Sequence, residues 1–313
     1  MRILIVGAGA LGGYFGARLL DAGRDVTFLL RARRAAQLAQ TGLIVKSPQG
    51  DLHLPTPPSV LAEQITAPYE LVIVGSKAYD LAATMESFAP AVGPGTTILP
   101  LLNGMRHLEM LDACFGAERV LGGLCVISAA LDAQGAVRHF NDQHSLVFGE
   151  RDGARSARVE AIEAAFAPAH FAARLSQQIV QDMWEKWLFI ASAASYTCLM
   201  RAPIGDIVEA GGTELALALV AEAAAIAAGQ GIVASETALA TARGALTLPG
   251  STISASMLKD IERGAPTEAD HIVGDLLARR VGHAPAWSPL GIAYLHLRAY
   301  EARRVREAKG AAQ

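Results

Sequence analysis

The chain has 313 residues, of which 52% are hydrophobic and 18% charged, with a formal net charge of -3. This length predicts two domains, and the apolar content favours folded cores over disorder. The slight negative charge argues against a nucleic-acid-binding protein, because neutralising phosphates requires a concentrated basic surface. The cysteines, Cys114, Cys125 and Cys198, are too widely spaced for a disulfide framework or a zinc site, so we expect buried, reduced thiols.

Two apolar stretches need to be weighed as membrane or export signals. Glycines interrupt the N-terminal run MRILIVGAGALGGYFGARLL, which argues against a signal peptide. The later run LALALVAEAAAIAAGQG is split by Glu222 and is shorter than the ~20 residues that a membrane span requires. The sequence therefore predicts a soluble, cytoplasmic protein that does not enter a membrane.

Strand-like and helix-like patterns alternate in the first half of the chain. The predicted strands are RILIVGA, DVTFLLR, LVIVGSK, TTILPLLN and RVLGGLCVIS. The predicted helices are LGGYFGARLLDAG and two segments near residues 80–90 and 105–114. Such alternation indicates an α/β, Rossmann-type doubly wound sheet with parallel strands, and the segment 135–150 resembles a hairpin.

The pattern changes near residue 177. Strand-like runs end there, and helical patterns rich in Ala and Leu continue to the C-terminus. We therefore predict an α/β nucleotide-binding domain at 1–177 and an all-α domain at 178–313. Small apolar side chains on these helices would suit a homodimer formed through the helical domain.

The glycine-rich stretch VGAGALGG follows the first strand and opens the first helix. Gly7, Gly9 and Gly12 form G-x-G-x-x-G, in which the glycines allow a tight turn, close approach of a pyrophosphate and close helix–strand packing. Ala10 and Leu11 complete the loop at the helix N-terminus, where free N–H groups favour phosphate. The alternative is a simple turn, but the strand–turn–helix context favours a dinucleotide site.

The end of the second strand indicates which dinucleotide is bound. NAD sites usually have an acidic residue there for the ribose 2′-hydroxyl, whereas this chain has FLLRARR. Arg31, nearest the strand end, would pair with a 2′-phosphate, so the sequence favours NADP(H). The alternative is a solvated basic patch at the start of the next helix.

Other catalytic chemistries find no support in the sequence. The eight histidines show no metal-ligand spacing, so we expect no metal site. The chain also lacks a G-x-S-x-G elbow and a P-loop, which argues against hydrolase and phosphotransferase chemistry.

Five segments, in this order, resemble the ketopantoate reductase (2-dehydropantoate 2-reductase) family. They are ILIVGAGALGGYFGARL, SKAYD, LLNGM, WEKW and SMLKDIERGAPTEAD. The resemblance implies NADPH-dependent reduction of a 2-oxo acid to a 2-hydroxy acid, with a role in pantothenate biosynthesis. It also implies a cleft between a Rossmann domain and a helical domain like that of the 6-phosphogluconate dehydrogenases.

The same resemblance assigns roles to individual residues. It implies that Lys186 is the catalytic lysine, Glu268 the glutamate that clamps the substrate, and Asn103 a contact to cofactor and substrate. It further implies that Ser256 meets the substrate carboxylate and that Lys77 lies beside the cofactor.

The chemistry of the reaction fits Lys186, which precedes a long uncharged run. Hydride transfer to a ketone leaves negative charge on oxygen, which a nearby cation or proton donor stabilises. Apolar neighbours would lower the pKa of this lysine toward a useful range. The structural alternatives are a solvent-exposed Lys186, an ordinary Asn-Gly turn at Asn103, a helix start at Glu268 and a surface or capping serine at Ser256.

One feature departs from the family pattern. Where the family has asparagines one and two helical turns after the lysine, this chain has Ile190 and Ala194. An apolar wall favours a bulkier or less polar substrate tail than that of ketopantoate. Two other functions stay open: a non-catalytic NADPH-binding regulator that uses the same cleft, and a dehydrogenase of 3-hydroxy acids or opines.

Overall fold

The computed structural model describes residues 1–282 and 287–311. The chain forms two compact units, one of residues 1–102 and 107–180 and the other of residues 103–106 and 181–313. Residues 283–286 and 312–313, inside the predicted helical domain 178–313, lie outside the described part. The domain limits 1–177 and 178–313 stay a prediction.

Strands and α-helices are interspersed up to residue 175. In chain order they are β1 (Arg2–Val6), α1 (Ala10–Asp21), β2 (Asp25–Leu29), α2 (Ala32–Thr41), β3 (Leu43–Lys46), β4 (Leu52–Leu54), β5 (Ser59–Val60), β6 (Leu71–Val74), α3 (Leu81–Phe88), β7 (Thr97–Pro100), α4 (Arg106–Phe115), β8 (Gly122–Leu131), β9 (Val137–Gly149), α5 (Ala157–Phe166) and β10 (Ala172–Leu175).

The first sheet is parallel throughout, in the order β5-β2-β1-β6-β7. Every residue of β6 and β7 is buried, and so is every residue of β1 except Arg2. Continuous burial explains why these strands are continuous apolar runs, as in sheets covered on both faces. The predicted α/β fold with a parallel sheet is confirmed.

A second sheet was missed by the sequence analysis. It has the order β10-β9-β3-β4, with β8 antiparallel to β9. The prediction that β8 belongs to the parallel sheet was wrong, as was the prediction of a complete hairpin within 135–150. The turn lies earlier: Asp132 Oδ1 accepts the N–H groups of Gln134 and Ala136 at 3.0 and 2.9 Å, and Gly135 has φ +84°. Segment 137–149 is therefore one long strand.

Helix α1 packs closely against the first sheet. A Cβ at Gly16 would lie 2.5 Å from Cε1 of Phe28, so only glycine permits this approach. Phe15 and Phe28 are fully buried in the same core. Burying an aromatic side chain of this size contributes about 1.5–3 kcal/mol relative to leaving it exposed.

From residue 179 onward all described elements are helical. They are α6 (Ile179–Met200), α7 (Ile204–Glu209), α8 (Thr213–Gly229), α9 (Glu236–Leu246), α10 (Ser256–Glu262), a π-helical turn (Asp270–Gly274), α11 (Asp275–Ala278) and α12 (Pro289–Ala311). This confirms the predicted helical C-terminal fold. Within the described ranges no helix has the length and apolar character to cross a bilayer.

Two part-buried contacts of Glu222 connect elements of the helical unit. Glu222 on α8 forms an ion pair with Arg280, and its Oε2 accepts the N–H of Leu290 at 2.9 Å, at the start of α12. The same carboxylate thus joins two segments that are distant in sequence.

Burial raises the pKa of the Cys198 thiol to about 12, so this thiol is unreactive. Cys114 is exposed, which corrects the expectation that all three thiols are buried.

The first unit also contains a small buried cluster of titratable side chains. Tyr14 is fully buried, and its hydroxyl lies 2.8 Å from Nδ1 of His144. The His139 ring lies 5.9 Å from that of His144, and the Arg18 guanidinium lies over the Tyr14 ring. Burial, followed by the positive neighbours His139 and Arg18, lowers the pKa of His144 below 6.5.

We expect this cluster to make stability depend on pH. Because the pKa of His144 is lower in the folded state, the unfolded chain binds more protons once the pH falls through 6.5. The free energy of unfolding of the first unit should then decrease and level off below the folded-state pKa. Urea titrations between about pH 8 and about pH 5 measure this decrease.

Substitution distinguishes the contribution of His144 to the pH dependence of stability from the contributions of the other histidines. His144→Gln should flatten part of the decrease, whereas a change at the exposed His170 (His170→Gln) should leave the profile as in the wild type. A His144→Gln profile as steep as that of the wild type would contradict the assignment.

Candidate active site

The glycine loop adopts the geometry that phosphate binding needs. Gly7 has φ +87°, and a Cβ at Gly12 would lie 2.1 Å from the Gly7 carbonyl oxygen. A Cβ at Gly9 would meet no atom within 4 Å, so this side of the loop is open. Gly9 is the N-cap of α1 and provides no side-chain cap, while Ala10 and Leu11 form the first turn. These residues fit a dinucleotide pyrophosphate.

Arg31 lies beyond β2, as predicted, at the N-cap of α2. Its side chain is 72% exposed and its Nη2 lies 3.4 Å from Asp80 Oδ2. An exposed pair of this kind contributes little to stability. Arg31 is therefore available to a ligand at low energetic cost.

Arg34, one turn further along α2, makes a contact that the sequence analysis missed. Its Nε donates to the carbonyl oxygen of Ala8 at 3.1 Å and its Nη1 to Gln37 Oε1 at 2.6 Å. Burial lowers its pKa, and its Nη2 is buried without a hydrogen-bond partner among the described residues. Arg34 thus supports the glycine loop through its hydrogen bond to the carbonyl oxygen of Ala8. The basic cluster FLLRARR gave the signal, but the sequence did not show which of its three arginines contacts the loop.

Lys77 lies on a segment that reaches the same loop. A Cβ at Gly75, just after β6, would lie 3.5 Å from the Gly12 nitrogen and 3.6 Å from Leu11 Cβ. Lys77 follows two residues later, half-buried, at the start of a short 3-10 turn. Within the first unit, Lys77 therefore lies two residues from a backbone contact with the glycine loop.

Asn103 and Lys186 meet directly within the second unit. Lys186 Nζ donates a hydrogen bond to Asn103 Oδ1 at 2.9 Å, although 83 positions separate the two residues. Both are half-buried. Lys186 therefore lies in a defined contact and is not a freely solvated surface lysine. An ammonium–amide hydrogen bond is stronger than one between neutral groups.

The turn that carries Asn103 also packs against the π-helical turn. Gly104 has φ +79°, and a Cβ there would lie 2.9 Å from the His271 carbonyl oxygen and 3.7 Å from Trp187 Cε2. The buried Trp187, next to Lys186 on α6, donates from Nε1 to the Ile272 carbonyl oxygen at 2.8 Å. The asparagine turn, the lysine helix and the π-helical turn thus contact one another.

Glu268 begins the segment that forms the π-helical turn. Its carbonyl oxygen accepts the N–H groups of His271 and Ile272 at 3.1 and 2.9 Å, and the residue is buried. Burial lowers the pKa of His271, so its ring is neutral at neutral pH. Single-turn π-helices are frequent at functional sites. The structure therefore brings Asn103, Lys186 and the Glu268 segment onto neighbouring elements.

Ser256 lies on another element, as the exposed first residue of α10. The preceding residue, Ala255, donates its N–H to Thr197 Oγ1 at 3.3 Å, and Thr197 in turn donates to the Ala193 carbonyl oxygen at 2.8 Å. Thr197 thus ties the start of α10 to α6. The sequence alone did not reveal this contact.

Ile190 and Ala194 follow Lys186 by one and two turns of α6. Ile190 is half-buried and Ala194 is buried. Residues at this spacing share the lysine's side of the helix. In the described part of the chain, no group of three or more His, Cys, Asp or Glu side chains is arranged to hold a metal ion.

Comparisons with known proteins identify the family. Residues 3–153 match the family model described as ketopantoate reductase PanE/ApbA, and residues 178–284 match ketopantoate reductase PanE/ApbA C terminal. The chain is 38% identical over 305 residues to "uncharacterized oxidoreductase YkpB" of Bacillus subtilis, covering 97% of this chain and all of that protein.

Two further relatives have a stated activity. A 2-dehydropantoate 2-reductase of Halobacterium salinarum is 30% identical, over 90% of this chain and 93% of the relative. The crystal structure of 2-dehydropantoate 2-reductase from Geobacter metallireducens is 31% identical and has a TM-score of 0.86, covering 96% of this chain and 99% of that one. The chain therefore belongs to the ketopantoate reductase family of oxidoreductases.

Proposed function

We propose that the protein reduces a 2-oxo acid to its 2-hydroxy acid with NADPH, and that Lys186 is the general acid. The observation that carries the proposal is the 2.9 Å hydrogen bond from Lys186 Nζ to Asn103 Oδ1, beside the segment that begins with Glu268. Family membership supports the same reaction.

Lys186 and Asn103 have different roles at the carbonyl group of the substrate. NADPH, held by the glycine loop and Arg31, would supply a hydride to C2 of the substrate. The ammonium of Lys186 stabilises the negative charge that develops on the carbonyl oxygen and transfers a proton to it. Asn103 Oδ1 accepts a hydrogen bond from one of the three N–H groups of the ammonium and thereby fixes the direction of the ammonium.

The remaining residues bind and orient. In this proposal Ser256 receives the substrate carboxylate, Glu268 holds a polar group on the substrate tail, and Lys77 lies against the cofactor. The loop Gly7–Gly12 binds the pyrophosphate and Arg31 pairs with the 2′-phosphate. Correct orientation of both reactants lowers the barrier because little further ordering is needed in the transition state.

The first prediction concerns Lys186. Lys186→Met keeps a long apolar side chain but removes the charge and the proton, so we expect kcat to fall by about 10²- to 10⁴-fold. NADPH affinity should change by less than about twofold, because the residue lies outside the unit that contains the glycine loop. Absorbance of NADPH with a panel of 2-oxo acids measures turnover, and cofactor fluorescence measures binding.

A matched substitution tests whether the effect is specific. Lys309→Met removes the same charge from an exposed position near the end of α12 and should leave kcat unchanged. A wild-type rate in Lys186→Met would remove this lysine from the mechanism. Tight NADPH binding by the wild type without turnover on any 2-oxo acid would instead favour the non-catalytic regulator.

The second prediction concerns cofactor choice. Arg31→Ala should lower affinity for NADPH by about tenfold or more and leave affinity for NADH nearly unchanged, since a charged hydrogen bond contributes about 1.5–3 kcal/mol. Arg33→Ala, an equal charge change at an exposed neighbour on α2, is the control and should preserve the preference. Equal use of NADH and NADPH by the wild type would refute the role of Arg31.

The third prediction concerns the substrate tail. If Ile190 and Ala194 form an apolar wall, branched or aromatic 2-oxo acids should have a kcat/KM at least equal to that of ketopantoate. Ile190→Asn should move the ratio toward ketopantoate, because it restores the amide typical of the family. A wild-type preference for ketopantoate by orders of magnitude would rule out the bulky-tail hypothesis.

Three broader expectations stay predictions. They are a place in pantothenate biosynthesis, a cytoplasmic location and a homodimer formed through the helical domain. Each depends on properties of the protein in its cell or in solution.

A further inference from the structure

The residue before Glu268 is held by the C-terminal helix. Glu301 on α12 uses one carboxylate oxygen, Oε1, to accept two hydrogen bonds from Thr267, from its N–H at 2.7 Å and from its hydroxyl at 2.7 Å. The other oxygen, Oε2, accepts from Arg304 Nε at 3.0 Å. Thr267 is buried. Two of its polar groups therefore depend on a side chain 34 positions away.

The neighbouring residue of α12 fixes the other side of the same loop. Tyr300 donates its hydroxyl to the carbonyl oxygen of Ala265 at 2.9 Å, and burial raises its pKa, so it stays a donor. Pro266, between the two contacts, has no N–H group and a fixed φ. Tyr300 and Glu301 together hold the backbone immediately before Glu268.

Glu301 also lies where a helical segment begins. The first backbone hydrogen bonds of that segment run from His271 and Ile272 to the carbonyl oxygen of Glu268. A negative charge at such a start is favourable, because the N–H groups there point toward it. Further along, Tyr294 donates its hydroxyl to Asp270 Oδ1 at 2.7 Å, so α12 contacts the segment on both sides of Glu268.

We infer that Glu301 is a positioning residue: by fixing Thr267 through two hydrogen bonds, it sets the orientation in which Glu268 meets the substrate. The inference rests on the proposed role of Glu268 as the residue that holds the substrate tail. Glu301 acts through Thr267 and Glu268 and takes no part in hydride or proton transfer.

Substitution of Glu301 should change substrate affinity and little else. In Glu301→Ala, Glu268 is less well oriented, so KM for the preferred 2-oxo acid should rise by about tenfold. The value of kcat should change by less than about twofold, because the lost interaction is equal in ground and transition states. KM for NADPH should stay at the wild-type value.

Two further variants separate positioning from general destabilisation. In Glu301→Gln the amide oxygen still accepts both hydrogen bonds from Thr267, so KM should return to within about twofold of the wild type. Glu307→Ala removes the same charge from the same helix at an exposed site paired with Arg303 at 3.7 Å, and should leave KM unchanged. Circular dichroism and the unfolding temperature establish that each variant is folded.

A double-mutant cycle tests the route through Glu268. Glu268→Gln alone should raise KM, and adding Glu301→Ala in that background should raise it by less than about twofold more. A folded Glu301→Ala variant with wild-type KM overturns the inference. So does a Glu301→Ala change that raises KM by the same factor in the Glu268→Gln background as in the wild type. A wild-type KM in Glu268→Gln overturns the proposed role of Glu268 and this inference with it.

Hydrogen exchange tests the positioning contact without turnover. Amides in residues 265–272 should exchange faster in Glu301→Ala than in the wild type, but not in Glu301→Gln or Glu307→Ala. Unchanged exchange in Glu301→Ala overturns the inference even if the reaction is as proposed. Faster exchange with no turnover on any 2-oxo acid would leave the contact standing and refute the proposed function.

Discussion

The candidate active site depends on one hydrogen bond, donated by the buried indole of Trp187. Its N–H cannot reach water and is satisfied by the carbonyl oxygen of Ile272 at 2.8 Å. Leaving such a donor unpaired costs about 1–3 kcal/mol, so the pairing of α6 with the π-helical turn is strongly specified. Because Lys186 is the neighbour of Trp187 and Gly104 packs against the same indole, this one bond fixes the lysine helix and the asparagine turn against the segment of Glu268.

The two units hold their candidate residues by different interactions. In the first, backbone geometry dominates: Gly12 approaches the Gly7 carbonyl oxygen too closely to carry a side chain, and Arg34 supports the loop through the carbonyl oxygen of Ala8. In the second, side-chain hydrogen bonds dominate, and two of the candidate residues are held through partners distant in sequence. Asn103 orients Lys186, and Glu301 holds the residue before Glu268. Rigid support of this kind suits a site whose rate depends on orientation.

The sequence predicted those features that leave a local pattern. The parallel sheet follows from continuous apolar runs such as RILIV, and the helical half from its helical periodicity. The second sheet could not be predicted, because β9 pairs with β3, almost a hundred residues earlier, and the pairing leaves no spacing signal. The same reason hid Arg34, Thr197 and Glu301, whose hydrogen bonds join residues 26, 58 and 34 positions apart. The structure assigns positions to the candidate residues, and their roles remain predictions.

Isotope transfer from the cofactor is the decisive test of the proposed reaction. In that reaction NADPH would supply the hydride to C2 of a 2-oxo acid, and Lys186 would supply the proton on oxygen. The protein is incubated with its preferred 2-oxo acid and with NADPH that is deuterated at the transferred position of C4. The 2-hydroxy acid formed should carry the deuterium at C2. Mass spectrometry and proton NMR would detect it. A 2-hydroxy acid without deuterium at C2, or oxidation of NADPH without any 2-hydroxy acid, would contradict the account.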